Sequence, residues 1–226
     1  MSQMFCHLMV YMRIVLSTLV IITCLLGDNF VELTQHPLLR ALLDNATHAV
    51  IGALSGIAFV VQFYDRTSNL FGWLLIFICF SVSALIDVDH FVEARSWNLE
   101  DATNLLRRPF LHCTTIPMML LVLFVCTASL NYFKTSLILG VLICAFVTHH
   151  TRDAVRRGYW MCPFGQTDPI PHLFYILTTI LTPYLMYYLH CFCRSSIAQQ
   201  ILGNYVKLSD HHHHHHHHRQ YRYSIV

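Results

Sequence analysis

Charge is scarce in this sequence: Asp, Glu, Lys and Arg together make up 12% of its 226 residues, against roughly 25% in an ordinary soluble domain. A chain so poor in charge cannot cover its own surface with it, so hydrocarbon must be part of its solvent. No large charge of either sign is present. The formal net charge of +2 gives no basis for holding a nucleic acid. A CxxC pair is also missing. With nine cysteines, an odd number and unpaired in spacing, neither a disulfide framework nor a zinc ribbon is supported. The start of the chain lacks the cluster of basic residues that opens a secretory signal, and no small-x-small cleavage pattern follows Leu26, so the first apolar stretch reads as an uncleaved helix.

What is present in quantity is apolar sequence, 55% of residues. A bilayer-crossing helix needs ~20 mainly apolar residues. Stretches of that kind lie near Leu8–Leu26, Ala46–Phe63, Leu70–Ile86, Thr114–Phe133, Ser136–Val147 and His172–Cys193. The fold class expected is therefore all-α, a multi-pass transmembrane bundle of about six helices in one domain over residues 1–207. The fourth and fifth stretches read as a tight hairpin turning around Asn131–Thr135. Its first partner is the lipid bilayer. Cys24, Cys79, Cys126 and Cys144 fall inside spans, where a thiol acts as a small hydrophobe. Cys191 and Cys193, ending the last span, are either acylation sites or plain interface cysteines.

Polar residues are distributed unevenly about these spans. If consecutive spans alternate in direction, one membrane face collects His48, Asp87, Asp89, His90, His112, His149, His150 and Asp153. The opposite helix ends carry Gln62, Tyr64, Asp65, Asn69, Asn131 and Lys134, with no histidine and one carboxylate. His149 and Asp153 are four apart and Asp87 and His90 three apart, so each pair shares a helix face. Imidazole nitrogen and carboxylate oxygen are ligands for zinc, manganese or iron, and three or more must converge to hold one. Taken singly, each of these residues could simply mark a helix end at headgroup level; their gathering on one face points to a site.

At the same residues the chain resembles a known family. Thr47-His48 with Gly52, then Asp87-Val88-Asp89-His90, Arg108-Pro109-Phe110-Leu111-His112, His149-x3-Asp153, Gly158 and Pro163-Phe164 occur in fixed order between about Asp44 and Gly165. This pattern is similar to that of the bacterial LexA-binding, inner-membrane-associated metal-dependent hydrolases and of their eukaryotic relatives, the transmembrane protein 267 family. The resemblance implies a helical membrane bundle with metal-dependent hydrolytic activity. Its matching positions are His48, Asp87, Asp89, His90, His112, His149 and Asp153. Arg107 stands where the pattern has a second histidine, and Ile86 where it commonly has proline.

On this reading a divalent metal, zinc or manganese, is held by His48, Asp87, His112, His149 and Asp153. Asp89 and His90 serve as orienting group or general base. Arg107, Arg108, Arg152, Arg156 and Arg157 share the face, and guanidinium matches phosphate. A phosphoester, in a lipid headgroup among other settings, is thus the expected substrate, bound by Arg107, Arg108, Arg156 and Arg157. The same arginines also suit a purely topological role. Seven basic residues near the spans on this face against four opposite favour a cytosolic orientation. Two other classes stay open. One is a non-catalytic membrane scaffold that keeps the fold with a structural metal. The other is a transporter, disfavoured because mid-span positions are almost wholly apolar. Asn45-Ala46-Thr47 is a glycosylation sequon hard against a span, read as a helix start capped by Asn45 or Thr47. His211–His218 binds metal without any fold and, with the tail from Leu208, is expected to be disordered. His7, His36, His172 and His190 receive no role.

Overall fold

The computed structural model describes residues 3–195; the histidine tract and the tail expected to be disordered lie outside the described residues. In chain order the helices are α1 (Gln3–Leu33), α2 (Pro37–Val60), α3 (Asn69–Leu85), α4 (Val88–Ala94), α5 (Leu99–Thr103), α6 (Thr115–Ser129), α7 (Phe133–Arg157) and α8 (His172–Cys193). A two-stranded hairpin, β1 (Trp160–Met161) and β2 (Gly165–Gln166), precedes α8. Among the described residues five helical segments are long and apolar enough to cross a membrane, and α6 is a shorter apolar helix. The all-α bundle expected from the sequence is what forms. Helices α2 and α7 are its centre: α2 packs on α1, α3, α7 and α8, and α7 on α2, α3, α6 and α8. Large apolar side chains such as Leu8, Leu25, Trp73, Phe77, Val122 and Leu185 are exposed on the outside, as a lipid-facing surface requires.

Several boundaries differ from expectation, and each shift carries polar residues into the bundle. Helix α1 runs past Leu26 to Leu33, so Asp28 is helical. Helix α2 begins at Pro37, not near Ala46, because proline at the first position presets the helical torsion and His36 is its N-cap. Asn45 and Thr47 are therefore interior helix positions rather than caps, and Thr47 is buried. The short fifth stretch belongs to the 25-residue α7, whose polar end His149–Arg157 continues the helix beyond Val147. The α6–α7 turn falls where expected, with Asn131 at φ +63°. Helix α6 spans 15 residues, a rise of about 22 Å. Cys193 is buried, which leaves Cys191 as the exposed thiol of the pair that ends α8.

The crossing of α2 and α3 decides where the site forms. Gly52 and Gly56, four apart, lie against Ser83 and Cys79 of the antiparallel α3, the close approach that small residues allow between membrane helices. A Cβ on Gly52 would lie 2.6 Å from Ser83 Cβ and 3.0 Å from the Cys79 carbonyl oxygen; one on Gly56 would lie 2.9 Å from Cys79 Cβ. Continuing the same register by one turn puts His48 opposite Asp87, since Ile86 and Asp87 keep right-handed helical torsions. Gly52→Ala is thus expected to destabilise the fold by about 1–3 kcal/mol, the usual cost of overpacking. Thermal unfolding in detergent should show it, and metal affinity should fall with it.

Candidate metal centre

Four side chains from three separate segments converge at the end of this crossing. Asp87 follows α3, His112 closes a 3-10 turn at Phe110–His112, and His149 and Asp153 lie one turn apart on α7. His112 Nε2 is 3.3 Å from His149 Nε2, 3.4 Å from Asp87 Oδ1 and 3.3 Å from Asp153 Oδ2. His149 Nε2 is 3.4 Å from Asp87 Oδ1 and 3.7 Å from Asp153 Oδ2. Ligands held at ~2.0–2.1 Å in a tetrahedron lie about 3.3–3.4 Å from one another. Five edges of the cage therefore fall at or near that length.

The hydrogen bonds behind the cage fix which nitrogens face inward. His149 Nδ1–H donates to the Ser83 carbonyl, 2.9 Å away, so Nε2 carries the lone pair. Asp89 Oδ2 accepts from the Leu111 backbone N–H at 2.7 Å, and its Oδ1 lies 3.2 Å from His112 Nδ1. His112 is thereby turned with Nε2 toward the cage, the orienting arrangement that metal-binding histidines use. All inward atoms are then acceptors, and the cage requires one positive centre: a proton on His112 or a cation. Burial alone would lower the His112 pKa, but Asp153, Asp87 and Asp89 outweigh it and raise it to about 11. The donor set, two imidazoles and two carboxylates, fits zinc or manganese.

His112 is delivered by a loop that is fastened on all sides. Arg108 donates to the carbonyls of Gly158 and Arg157, covering the last turn of α7. Thr114 N–H donates to the Trp160 carbonyl at 2.7 Å. His150 Nε2–H donates to the Leu111 carbonyl at 2.8 Å. Gly158, at φ +68°, ends α7 where any Cβ would strike the Thr167 backbone. His150, one of the histidines that the sequence gathers on this face, is the tie between α7 and the His112 loop.

The remaining expected residues are distributed as follows. His48 is not one of the four. It stacks on His149, ring centroids 3.8 Å apart, and its Nε2 is 3.4 Å from the outer oxygen of Asp153, Oδ1. Asp89 sits behind His112, and His90 Nδ1 is 3.4 Å from Asp89 Oδ1. His90, Arg108, His112, His150, Asp153 and Arg157 share the wall of a cavity of about 30 Å³, room for about one water. A groove of about 490 Å³, lined by Glu93, Arg107, Arg108, Phe110, Trp160 and Gln166, adjoins it. Arg107 is thus a groove residue, and the cage has its two histidines without a ligand at that position. Arg156 is taken up elsewhere: its Nη2 is 2.8 Å from Asp44 Oδ1. Arg152 is buried between Asp28 at 2.8 Å and Asp44 at 2.9 Å, which removes it from phosphate binding. That buried network is not legible in the sequence, where Asp28 and Asp44 fall outside the apolar stretches.

Comparison with known proteins gives a consistent set of relatives. The chain is 38% identical over 176 residues to transmembrane protein 267 of Mus musculus, covering 74% of this chain and 78% of that one. It is 36% identical over 170 residues to the Bos taurus protein of the same name, covering 72% and 75%. The Xenopus laevis counterpart is 38% identical over 165 residues, covering 71% and 74%. No family model matches the chain, and no solved structure matches it.

Proposed function

The chain belongs to the transmembrane protein 267 family, and we propose that this multi-pass membrane protein is a metal-dependent hydrolase of phosphoesters centred on Asp87, His112, His149 and Asp153. One observation carries the reading: five of the six distances among the four donor atoms are 3.3–3.7 Å, near tetrahedral edge lengths, while the Ser83 carbonyl and Asp89 behind the two imidazoles turn each Nε2 inward. The motif order that resembles the bacterial LexA-binding hydrolases supports it from the sequence side. A divalent cation held there would supply Lewis acidity and, with a water from the adjoining small cavity as a further ligand, would lower that water's pKa toward ~7.

The chain's own residues supply the rest. Asp89 and the Ser83 carbonyl hold the two imidazoles in the ligating tautomer. His48 steadies the outer oxygen of Asp153 and lies flat against His149. His90, on the cavity wall, would take the proton of the water that attacks phosphorus and hand it to the oxygen of the leaving alcohol as the phosphorus–oxygen bond breaks. Arg157, on the same wall, would meet the phosphate, beside Arg108, whose guanidinium is already held by the Gly158 and Arg157 carbonyls. The excess of basic residues on this face supports a cytosolic orientation.

Asp89→Asn is expected to weaken metal binding about 10–100-fold, the usual cost of losing an orienting partner, while the fold is kept; titration with zinc against a competing chelator measures it. The function itself is tested by release of 4-nitrophenolate from 4-nitrophenyl phosphate, using protein from which His211–His218 has been deleted. Turnover should stop on chelation and return with zinc or manganese. Because His112 must lose its raised proton for Nε2 to bind a cation, one proton is released per metal, and affinity climbs as pH rises, up to about tenfold per unit. Stoichiometric metal without turnover on any phosphoester would favour the scaffold reading.

A further inference from the structure

The groove beside the cage is lined by arginines, one carboxylate and aromatic side chains. Arg107 and Arg108 face a single carboxylate, Glu93, and Arg157 stands where the groove meets the small cavity. Phe110 and Trp160 form its aromatic wall. Phe110 in its wall, Leu106 and Phe164, close in sequence to its lining residues Arg107 and Gln166, and Trp97 are each more than two-thirds exposed. All four lie in the segments between one span ending at Ala94 and the last beginning at His172.

Each part restricts the occupant. The excess of guanidinium over carboxylate selects an anion, and its planar fork suits phosphate. The cavity at the cage is water-sized, so the phosphate stops at its mouth, beside Arg157, and the rest of the molecule stays in the groove. Exposed Leu106, Phe110 and Phe164 in a membrane protein meet acyl chains more favourably than water, and aromatic and arginine side chains together are the composition of the headgroup layer.

We propose that this groove takes the phosphomonoester headgroup of an anionic phospholipid from the surrounding leaflet, with its acyl chains lying against Phe110 and the exposed apolar side chains of the same segments. The assignment rests on the hydrolase reading for turnover but not for binding, which the arginines and these apolar side chains provide without the cage.

The test is lipid binding by the full-length protein in detergent, followed by native mass spectrometry, with long-chain phosphatidic acid, phosphatidylcholine and glycerol 3-phosphate as probes. Phosphatidic acid should bind at least about tenfold more tightly than either of the others, as expected when both a charge and an acyl chain are recognised. Arg107→Gln combined with Arg157→Gln should remove that preference, because neither side chain is tied to the fold. Asp153→Asn, which removes a cage ligand, should leave lipid binding intact; this separates failure of the metal centre from failure of the groove. Equal binding of phosphatidylcholine, or a preference untouched by the arginine changes, would overturn the proposal. Glycerol 3-phosphate binding as tightly as phosphatidic acid would also overturn it, since the occupant would then be a soluble phosphoester.

Discussion

Asp153→Asn is expected to take the metal content of the purified protein from about one zinc or manganese per chain to nearly none. Asp153 is the busiest group in the cage: Oδ2 is 3.3 Å from His112 Nε2 and 3.7 Å from His149 Nε2, while Oδ1 is 3.4 Å from His48 Nε2. A structural four-ligand site is worth roughly 10–16 kcal/mol, so one ligand accounts for about a quarter, or some 100–1000-fold in affinity. Dialysis against a weak chelator would then empty the variant but not the parent. Elemental analysis must use chains lacking His211–His218, because that tract binds metal on its own. His149→Ala with Asp153→Ala should behave the same way, with helicity unchanged. Metal retained by either variant would place the ion elsewhere, and a folded parent without metal would remove the hydrolase reading altogether.

The convergence of Asp87, His112, His149 and Asp153 could be read before any coordinates because it depends on topology alone. Spans that alternate in direction must bring the end of α3, the start of α6 and the end of α7 to one face, wherever their exact limits fall. His48 shows where that logic weakens. It reaches the right face, yet whether it binds metal or braces Asp153 depends on ring stacking, which spacing cannot report. Arg107 is a further case. As a departure from the family pattern it suggested a lost ligand, whereas the structure sets it in the groove, because the chain turns at Pro109 before His112 enters the cage. The Asp28–Arg152–Asp44 network was hidden by boundaries. Hydropathy ended the first helix at Leu26 and began the second at Ala46, which left both carboxylates in loops. Proline at the start of α2 and the long run of α1 instead make them helical, facing α7. A window average cannot detect an apolar helix that continues through a charged turn when the charge is neutralised by another helix.

Arg152 therefore carries a second large effect: Arg152→Met is expected to cost about 3–5 kcal/mol of stability, the price of leaving buried carboxylates without their cation. The guanidinium is 2% exposed and lies within 2.9 Å of both Asp28, on α1, and Asp44, on α2, so its loss unties three helices at once. Arg156→Gln is the contrasting change. That side chain is about half exposed and also pairs with Asp44, and an exposed pair is worth about 0–1 kcal/mol. Thermal unfolding in one detergent should separate the two variants clearly. Adding Asp28→Asn and Asp44→Asn to Arg152→Met should recover much of the loss, because the penalty comes from unpaired charge and not from missing contacts. The cage supplies an independent readout. Arg152 immediately precedes Asp153, so an α7 end released from α1 and α2 should also lose metal, and the triple variant should regain part of it. If Arg152→Met unfolds no earlier than Arg156→Gln, the network is not what holds α7 in register, and the packing of Val141, Cys144 and Ala145 against α3 and α6 must fix the orientation of His149 and Asp153 by itself.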